Sequence, residues 1–187
     1  MSCLSQTYIA PETYLAIERS ARFRSEYFKG EMFAMAGASP NHVLIVTNVA
    51  SELRMQLKKT PCRVYSTDLR LKVSMTGLYV YPDVMLVCGD PQFDDEHQDT
   101  LLNPIIIVEV LSDSTKEYDK GRKFEHYRRL ASLKEYLLIA QDKAHIGHFV
   151  REGYQWLFSE TGGLENKIEL KSVGCVLELA EVYDKVF

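Results

Sequence analysis

The sequence predicts an α/β protein of the α+β type, in which a mixed β-sheet is covered by helices. Two observations carry this prediction. Three strand-like runs follow one another between two helical segments, and one of these runs, Ile105 to Leu111, is apolar and β-branched almost throughout. Such a run is typical of a strand that is buried on both faces. The middle of the chain therefore has the order αβββαβ, which several folds share.

A short helix and a hairpin are predicted at the start of the chain. Pro11 favours a helix start, and the residues that follow support a helix over residues 11–20. Gly30 stands between two runs that contain aromatic residues. We therefore expect a hairpin with strands at residues 25–28 and 31–36.

A long helix is predicted next. Ser39 and Pro40 are a typical N-cap and first helical residue. Apolar residues recur at helical spacing behind this start: Val46, Val49, Leu53 and Leu57. The pattern predicts a helix over residues 40–58, ended by Pro61.

The rest of the chain alternates between strands and one further helix. Apolar runs predict strands, and an acidic segment at residues 89–103 predicts a surface loop. The predicted strands are residues 63–73, 78–88, 105–111 and 135–140, and the predicted helices are residues 116–131 and a short one at 180–184. Short alternating pieces fill the remainder.

Size and composition are those of an ordinary globular protein. The 187 residues are 46% hydrophobic and 26% charged, so we expect one domain spanning residues 1–187. The formal net charge of −4 counts against a protein that binds nucleic acid mainly by neutralising phosphates. The sequence contains no C-x-x-C motif, no secretory signal and no run near the roughly 20 apolar residues of a membrane span. These features predict a cytoplasmic protein with reduced, packed cysteines.

Two carboxylates fall where a buried sheet would not ordinarily accept them. Asp83 stands at the head of the apolar run 84–87, and Glu109 lies inside the run 105–111. A buried carboxylate needs an ion pair or a metal, because an unpaired charge is costly in an apolar interior. A neighbouring Lys or Arg would explain Glu109 alone, and a turn would explain Asp83 alone. On adjacent strands, the two together predict a site for a divalent cation such as Mg²⁺.

Further residues are candidates for the same site. Lys123 is either a solvated helix lysine or an ammonium group that stabilises charge developing on a phosphodiester. Asp68 is a third candidate metal ligand, because a turn at residues 75–76 would place it opposite Asp83. Glu26 and His42 are candidate catalytic residues, although a rim position for Glu26 and a surface or capping role for His42 are equally compatible with the sequence. Tyr127, one turn beyond Lys123, is interpreted as a core residue.

The order and spacing of several short motifs resemble the Uma-type family of putative restriction endonucleases. The likeness extends over residues 13–183. Its motifs are Ser25-Glu26-Tyr27-Phe28-Lys29-Gly30-Glu31, Ser39-Pro40-Asn41-His42, Tyr81-Pro82-Asp83-Val84, Val108-Glu109-Val110-Leu111-Ser112, the run from Tyr118 to Tyr127, and Lys134-Glu135-Tyr136-Leu137-Leu138-Ile139.

This resemblance implies a restriction-endonuclease-like PD-(D/E)xK core with extra β-hairpins. In that superfamily an Asp and a Glu on neighbouring core strands bind Mg²⁺, for which Mn²⁺ can substitute, and Asp83 and Glu109 match them. The superfamily lysine stands two residues after the Glu, where this chain has Leu111. The resemblance places the lysine at Lys123 instead. It implies a Mg²⁺-dependent endonuclease that hydrolyses DNA phosphodiester bonds by metal-activated water and binds DNA weakly or locally.

Two other classes of function remain open at this point. The acidic balance and Leu111 are compatible with a binding or regulatory protein that keeps the nuclease fold with weak catalysis or none. A homodimeric structural or toxin-like accessory protein is the other class, with strands such as residues 153–159 pairing across a two-fold axis. A nuclease that cuts both strands of a duplex would also favour a homodimer.

Overall fold

A computed structural model describes residues 8–112 and 119–187, with the backbone alone for Lys120. The helices among these residues are α1 (Pro11–Ser20), α2 (Pro40–Gln56), a π-helical turn (Asp119–Lys123) that runs into α3 (Phe124–Tyr127), and α4 (Leu179–Val182). The strands are β1 (Ser25–Phe28), β2 (Glu31–Ala34), β3 (Cys62–Ser66), β4 (Arg70–Val73), β5 (Leu78–Val80), β6 (Val84–Cys88), β7 (Thr100–Leu101), β8 (Ile106–Leu111), β9 (Glu135–Ala140), β10 (His145–Glu152), β11 (Gln155–Gly162), β12 (Lys167–Leu170) and β13 (Cys175–Glu178).

The central sheet is mixed, as the sequence predicted. Its six strands have the order β11-β10-β9-β8-β6-β3, with β8 parallel to β9 and antiparallel to β6. Every residue of β8 is buried, which explains its unbroken apolar sequence. The predicted αβββαβ order corresponds to α2, β3, β6, β8, the helical segment 119–127 and β9. The fold class is therefore confirmed.

Two layers cover this sheet. On one face, Leu86 and Val108 pack with the apolar side of α2, including Val49. On the other face, Met85 and Ile107 pack with residues of a second sheet of order β2-β1-β5-β4-β7. The antiparallel pair β12–β13 completes the described sheets on the α2 side.

Two predicted strands are each broken in the structure. Thr67 and Asp68 have φ of 45° and 53°, so residues 63–73 divide into β3 in the central sheet and β4 in the second. Residues 78–88 divide at Pro82 into β5 and β6 in the same way. Proline has no N–H to donate to a strand ladder, which favours the break there. The prediction that Asp68 lies on a strand was wrong, because it lies in the turn between β3 and β4.

Other boundaries also differ from the prediction. Helix α2 ends at Gln56 instead of residue 58, and the helix predicted to reach residue 131 ends at Tyr127. The predicted start of that helix, residues 116–118, lies outside the described residues. The acidic loop contains a short strand, β7, that pairs parallel with β4. None of the described helices is long and apolar enough to cross a membrane.

The cysteine prediction was wrong for two residues. Cys62 and Cys88 are cross-strand partners on β3 and β6 and form a disulfide bond. They are 26 residues apart in sequence, so their pairing follows from the register of two strands and from no local motif. Cys175 is a free thiol and is buried, as expected for a packed cysteine.

Candidate active site

Asp83 and Glu109 lie opposite each other at one end of the central sheet. In the antiparallel register of β6 and β8, Val84 pairs with Val108, and the next pair in this register is Asp83 with Glu109. Cross-strand partners share one face of a sheet. The backbone N–H of Val110 donates a 2.7 Å hydrogen bond to Oδ2 of Asp83, which fixes this side chain against β8.

His42 holds the other oxygen of Asp83. Its Nε2 lies 2.9 Å from Oδ1 of Asp83, and both side chains are mostly buried. His42 is carried by the first turn of α2, where its backbone N–H donates to the Ser39 side chain at 3.1 Å. The N-cap predicted at Ser39 therefore also positions a residue of the site.

Glu109 is almost completely buried, with 4% of its surface exposed. The Tyr127 hydroxyl donates a 2.7 Å hydrogen bond to its Oε1. Burial raises the pKa of Glu109 to about 8, and the charges of Asp119 and Asp83 add to the rise, while Lys123 and the Tyr127 hydrogen bond oppose it. Burial and the neighbouring Glu109 also raise the pKa of Tyr127 well above its usual value. The site therefore disfavours the anionic form of Glu109 as it stands.

Lys123 lies among three carboxylates. Its Nζ is 3.3 Å from Oε1 of Glu109, 3.1 Å from Oε1 of Glu26 and 3.2 Å from Oδ1 of Asp119. Burial would lower the pKa of this lysine, but the three carboxylates outweigh burial and raise the pKa well above its ordinary value. Lys123 is therefore a buried ammonium ion at neutral pH.

The π-helical turn explains how a helix residue reaches the end of a strand. Asp119 and Lys123 are the first and last residues of this turn, and they form an ion pair on one side of it. π-helical turns are rare and often occur at functional sites. The Tyr136 hydroxyl of β9 donates a 3.0 Å hydrogen bond to the backbone carbonyl of Asp119, which ties the turn to the central sheet.

A cavity of about 1050 Å³ opens onto this cluster. Its charged side is lined by side chains of the cluster, and its other side is lined by residues 33–39 and by the exposed side of α2. The charged and histidine residues among the described lining residues are Glu26, His42, Asp68, Asp83, Glu109, Asp119 and Lys123.

A second buried network lies behind Asp83. The Tyr81 hydroxyl donates a 2.9 Å hydrogen bond to Oε1 of Glu18 and accepts one of 2.9 Å from Nη1 of Arg70. Glu18 and Arg70 are both buried. Because Tyr81 is two residues before Asp83, this network fixes the backbone that leads into the site.

The structure brings five of the six candidate residues together: Asp83, Glu109, Lys123, Glu26 and His42. Asp68 does not join them. The turn at residues 67–68 directs its carboxylate to Arg24, at 3.3 Å, and leaves its side chain 73% exposed. The backbone N–H of Thr67 donates a hydrogen bond to the backbone carbonyl of Asp83. Thr67 therefore lies opposite Asp83, where the sequence had predicted Asp68.

Asp119 is a site residue that the sequence did not predict. Tyr127, which was interpreted as a core residue, also donates a hydrogen bond to Glu109 in the site. Their spacing to Lys123, four residues before and four after, was a signal that the three could share one side of a helical segment. The contact of Val110 with Asp83 is made by the backbone, so no side chain in the sequence could indicate it.

The residues present suit a Mg²⁺ ion. In the described part of the chain, no group of three or more His, Cys, Asp or Glu side chains is arranged to hold a metal. Two carboxylates are sufficient for Mg²⁺, which usually keeps several of its waters. A divalent cation beside Glu109 would offset the charges that raise its pKa.

These features define a class of protein: the fold is restriction-endonuclease-like, with an Asp, a Glu and a Lys meeting at the end of two core strands. A crystal structure of a putative nuclease of family DUF820 from Anabaena variabilis superposes with a TM-score of 0.79, covering 96% of this chain and 99% of that one at 15% identity. This likeness shows the fold.

Sequence comparison places the chain in a family. The model of the Uma2 family, described as a putative restriction endonuclease family, matches residues 11–180. Two uncharacterized proteins of Synechocystis are relatives: sll1609 is 38% identical over 83% of this chain and 89% of its own length, and slr1290 is 32% identical over 94% and 91%. The chain belongs to the Uma2 family.

Proposed function

We propose that this protein is a Mg²⁺-dependent endonuclease that hydrolyses phosphodiester bonds of DNA. The observation that carries the proposal is the position of Asp83 directly before β6, next in register to Glu109 of β8, with the Lys123 ammonium 3.3 Å from Glu109. The family and the fold of the nuclease structure support the same class of reaction.

Each residue of the cluster has a role in this proposal. Asp83 and Glu109 hold the cation, which when bound polarises the phosphodiester and makes the attacking water more acidic. His42 and the Val110 N–H fix the orientation of Asp83. Lys123 stabilises the negative charge that develops on the phosphate oxygens, and Glu26 and Asp119 hold its ammonium group in place.

Cleavage of plasmid DNA tests the proposal. We expect the purified protein to nick or linearise plasmid in Mg²⁺ or Mn²⁺ and to be inactive in EDTA. The Asp83→Ala and Glu109→Ala variants should lose at least about a hundredfold in rate, since each removes a cation ligand. Asp90→Ala, which changes an exposed acid outside the cavity, is the matched control and should retain full activity. Equal cleavage by Asp83→Ala and the wild type would contradict the proposal.

The second candidate is a binding or regulatory protein that keeps the fold without the chemistry. One observation favours it: Lys123 already lies against Glu109, where it neutralises charge that a metal would otherwise neutralise. Calorimetric titration with Mg²⁺ and Mn²⁺ separates the two. A nuclease binds the cation at millimolar concentration or below, with binding lost in Asp83→Ala, whereas a protein without the chemistry shows no binding heat.

We also propose that the protein acts as a homodimer. Strand β11 is an edge of the central sheet, and its Leu157 and Phe158 side chains are each 50% exposed. Unpaired edge strands with apolar side chains favour pairing with a second chain. Light scattering should give twice the 21.5 kDa chain mass, and Leu157→Lys should lower it to that of one chain. A wild-type mass of 21.5 kDa at micromolar concentration would contradict this arrangement.

A further inference from the structure

The cavity at the candidate active site has one side without formal charge. This side is formed by the segment from Phe33 to Ser39 and by Val43, Val46, Thr47 and Ala50 of α2. The helix residues recur at a spacing of three or four, so they form one stripe that faces the cavity. Val43 is 53% exposed, although it is apolar. We call this surface the uncharged wall.

Phe33 stands at the border between the uncharged wall and the acidic cluster. It is the cross-strand partner of Glu26 in the β1–β2 hairpin, so the two side chains share one face of that hairpin. Glu26 in turn contacts Lys123 at 3.1 Å. The Phe33 ring is 49% exposed, and Met35, two residues along the same face, is 40% exposed. An exposed aromatic ring therefore lies next to the proposed reaction centre.

The described lining residues of the cavity offer few positive charges to a DNA duplex. Among the described residues that line it, Lys123 is the one Lys or Arg, and three carboxylates already surround it. Arg24 lies nearby but is paired with Asp68. A duplex presents about one negative charge per 1.7 Å of its axis and is usually bound by rows of basic side chains. The described part of this cavity has no such row.

An unpaired nucleobase does suit it. A base is planar, carries no formal charge, and stacks readily on aromatic side chains. In a duplex its faces are covered by neighbouring base pairs, whereas single strands, loops and ends leave them accessible. The cavity volume of about 1050 Å³ is at the upper limit of roughly 1,000 Å³ for small-molecule sites, so it has room for a nucleotide beside the cluster.

We propose that the uncharged wall is a nucleobase subsite, with Phe33 as its stacking platform, and that the preferred substrate is unpaired nucleic acid. This inference rests on the proposed phosphodiester hydrolysis, and it specifies the substrate class for the same site. A base stacked on Phe33 lies beside Glu26, which contacts Lys123 of the proposed reaction centre. Phe33 is thus a specificity-determining residue of the site.

Fluorescence anisotropy with a labelled 20-nucleotide DNA tests the subsite without requiring turnover. The strand is measured alone and annealed to its complement, with Ca²⁺ as the oxygen-binding cation. We expect the single strand to bind at least about tenfold more tightly than the duplex. Phe33→Ala should weaken single-strand binding by about tenfold, the size of one lost base–aromatic stack, and leave duplex binding unchanged. Phe33→Trp should retain the preference.

Phe23→Ala is the matched control, because Phe23 is 80% exposed and does not line the cavity. Equal or tighter duplex binding, or the same effect from Phe33→Ala and Phe23→Ala, would overturn the subsite. A second copy of the chain is the other molecule that the uncharged wall could bind, and light scattering on Phe33→Ala tests for it. A change in its oligomeric state would assign the wall to a second copy of the chain and would also overturn the inference.

The two proposals fail in different ways. If the wild type cleaves duplex plasmid rapidly and Phe33→Ala changes nothing, the subsite is wrong and the nuclease proposal stands. If the wild type binds single strands through Phe33 but does not cleave DNA with any added metal, the subsite stands and the nuclease proposal is wrong.

Discussion

Glu109 combines deep burial with two nearby carboxylates, and this combination should make the stability of the metal-free protein depend on pH. Its pKa is raised from the ordinary 4.5 to about 8 in the folded chain, mainly by burial. The folded state therefore binds this proton more tightly than the unfolded state does. The resulting stabilisation is complete below about pH 4.5 and is lost as the pH rises to about 8.

Urea unfolding in EDTA at several pH values measures this effect. Between about pH 5 and pH 8, we expect the wild type to lose on the order of 3 kcal/mol of unfolding free energy that Glu109→Gln does not lose. The amide of Gln occupies nearly the same volume but does not titrate. Identical pH slopes for the two proteins would show that Glu109 is not the group responsible.

Lys123 is the second residue whose removal has a distinctive consequence. Lys123→Met leaves Glu26, Glu109 and Asp119 without their shared ammonium group, so we expect a loss of about 3 kcal/mol in unfolding free energy. Added Mg²⁺ should restore part of this loss, because a cation can take the place of the ammonium. Thermal unfolding with and without Mg²⁺ measures both effects.

Lys72→Met is the matched control for Lys123→Met. Lys72 pairs with Asp94 at 2.7 Å, but the pair is partly exposed. Its loss should cost at most about 1 kcal/mol and should not respond to Mg²⁺. If both lysine variants behave alike, the carboxylates around Lys123 are not a cation site.

The sequence indicated some site residues more readily than others for a physical reason. Asp83 and Glu109 stand out because a carboxylate in an apolar strand needs a partner. Lys123 was placed by family resemblance, because a lysine on a helix is ordinarily solvated. For Asp119 the sequence offered only its spacing of four residues to Lys123, since its burial depends on a π-helical turn that the spacing of apolar residues does not reveal.

At the scale of elements, the N-terminus of α2 links helix capping to the site. The Ser39 side chain accepts the His42 N–H, and His42 contacts Asp83. We expect Ser39→Ala to cost about 1 kcal/mol in unfolding free energy and to speed amide exchange at His42. It should also weaken metal binding, because Asp83 loses a fixed partner.

Ser39→Asn should keep the cap and most of the metal affinity, since an Asn side chain also accepts from the first turn. Hydrogen exchange and calorimetry on the two variants make this comparison. Faster amide exchange in Ser39→Ala with unchanged metal affinity would show that the helix cap does not support metal binding at the site.

The breaks in the predicted strands show what local patterns cannot determine. Residues 63–73 are apolar enough to read as one strand, yet Thr67 and Asp68 turn the chain from one sheet into another. The half that forms β3 joins the central sheet by pairing with β6, which is distant in sequence, whereas β4 pairs with β5 across a short turn. The register that sets Thr67, and not Asp68, beside Asp83 continues the pairing of β3 with β6.

The disulfide between Cys62 and Cys88 should stabilise the pair β3–β6, on which Asp83 depends. It closes a loop with a sequence separation of 26, for which restriction of the unfolded chain predicts roughly 3 kcal/mol. We expect a reducing agent to lower the urea midpoint of the wild type. The Cys62→Ser/Cys88→Ser double variant should match the reduced wild type and should not respond. An unchanged wild-type midpoint would show that the bond does not form in solution.

At the scale of the whole molecule, the fold was predictable because its core pattern is simple. The buried strand β8 and the order of elements around it follow from the apolar pattern of the sequence. The second sheet was not predictable, because it is assembled from short segments that pair across long sequence distances: β1 with β5, and β4 with β7. This sheet carries Glu26 and Phe33 to the site, so the site is a product of the whole fold.

The most direct test of the whole account is a crystal structure of the protein soaked in Mn²⁺, recorded with anomalous scattering. We expect a peak within about 2.0–2.5 Å of carboxylate oxygens of both Asp83 and Glu109, and no such peak in crystals of Asp83→Ala. The account is contradicted if crystals soaked in saturating Mn²⁺ show no peak there and Lys123 still contacts Glu109.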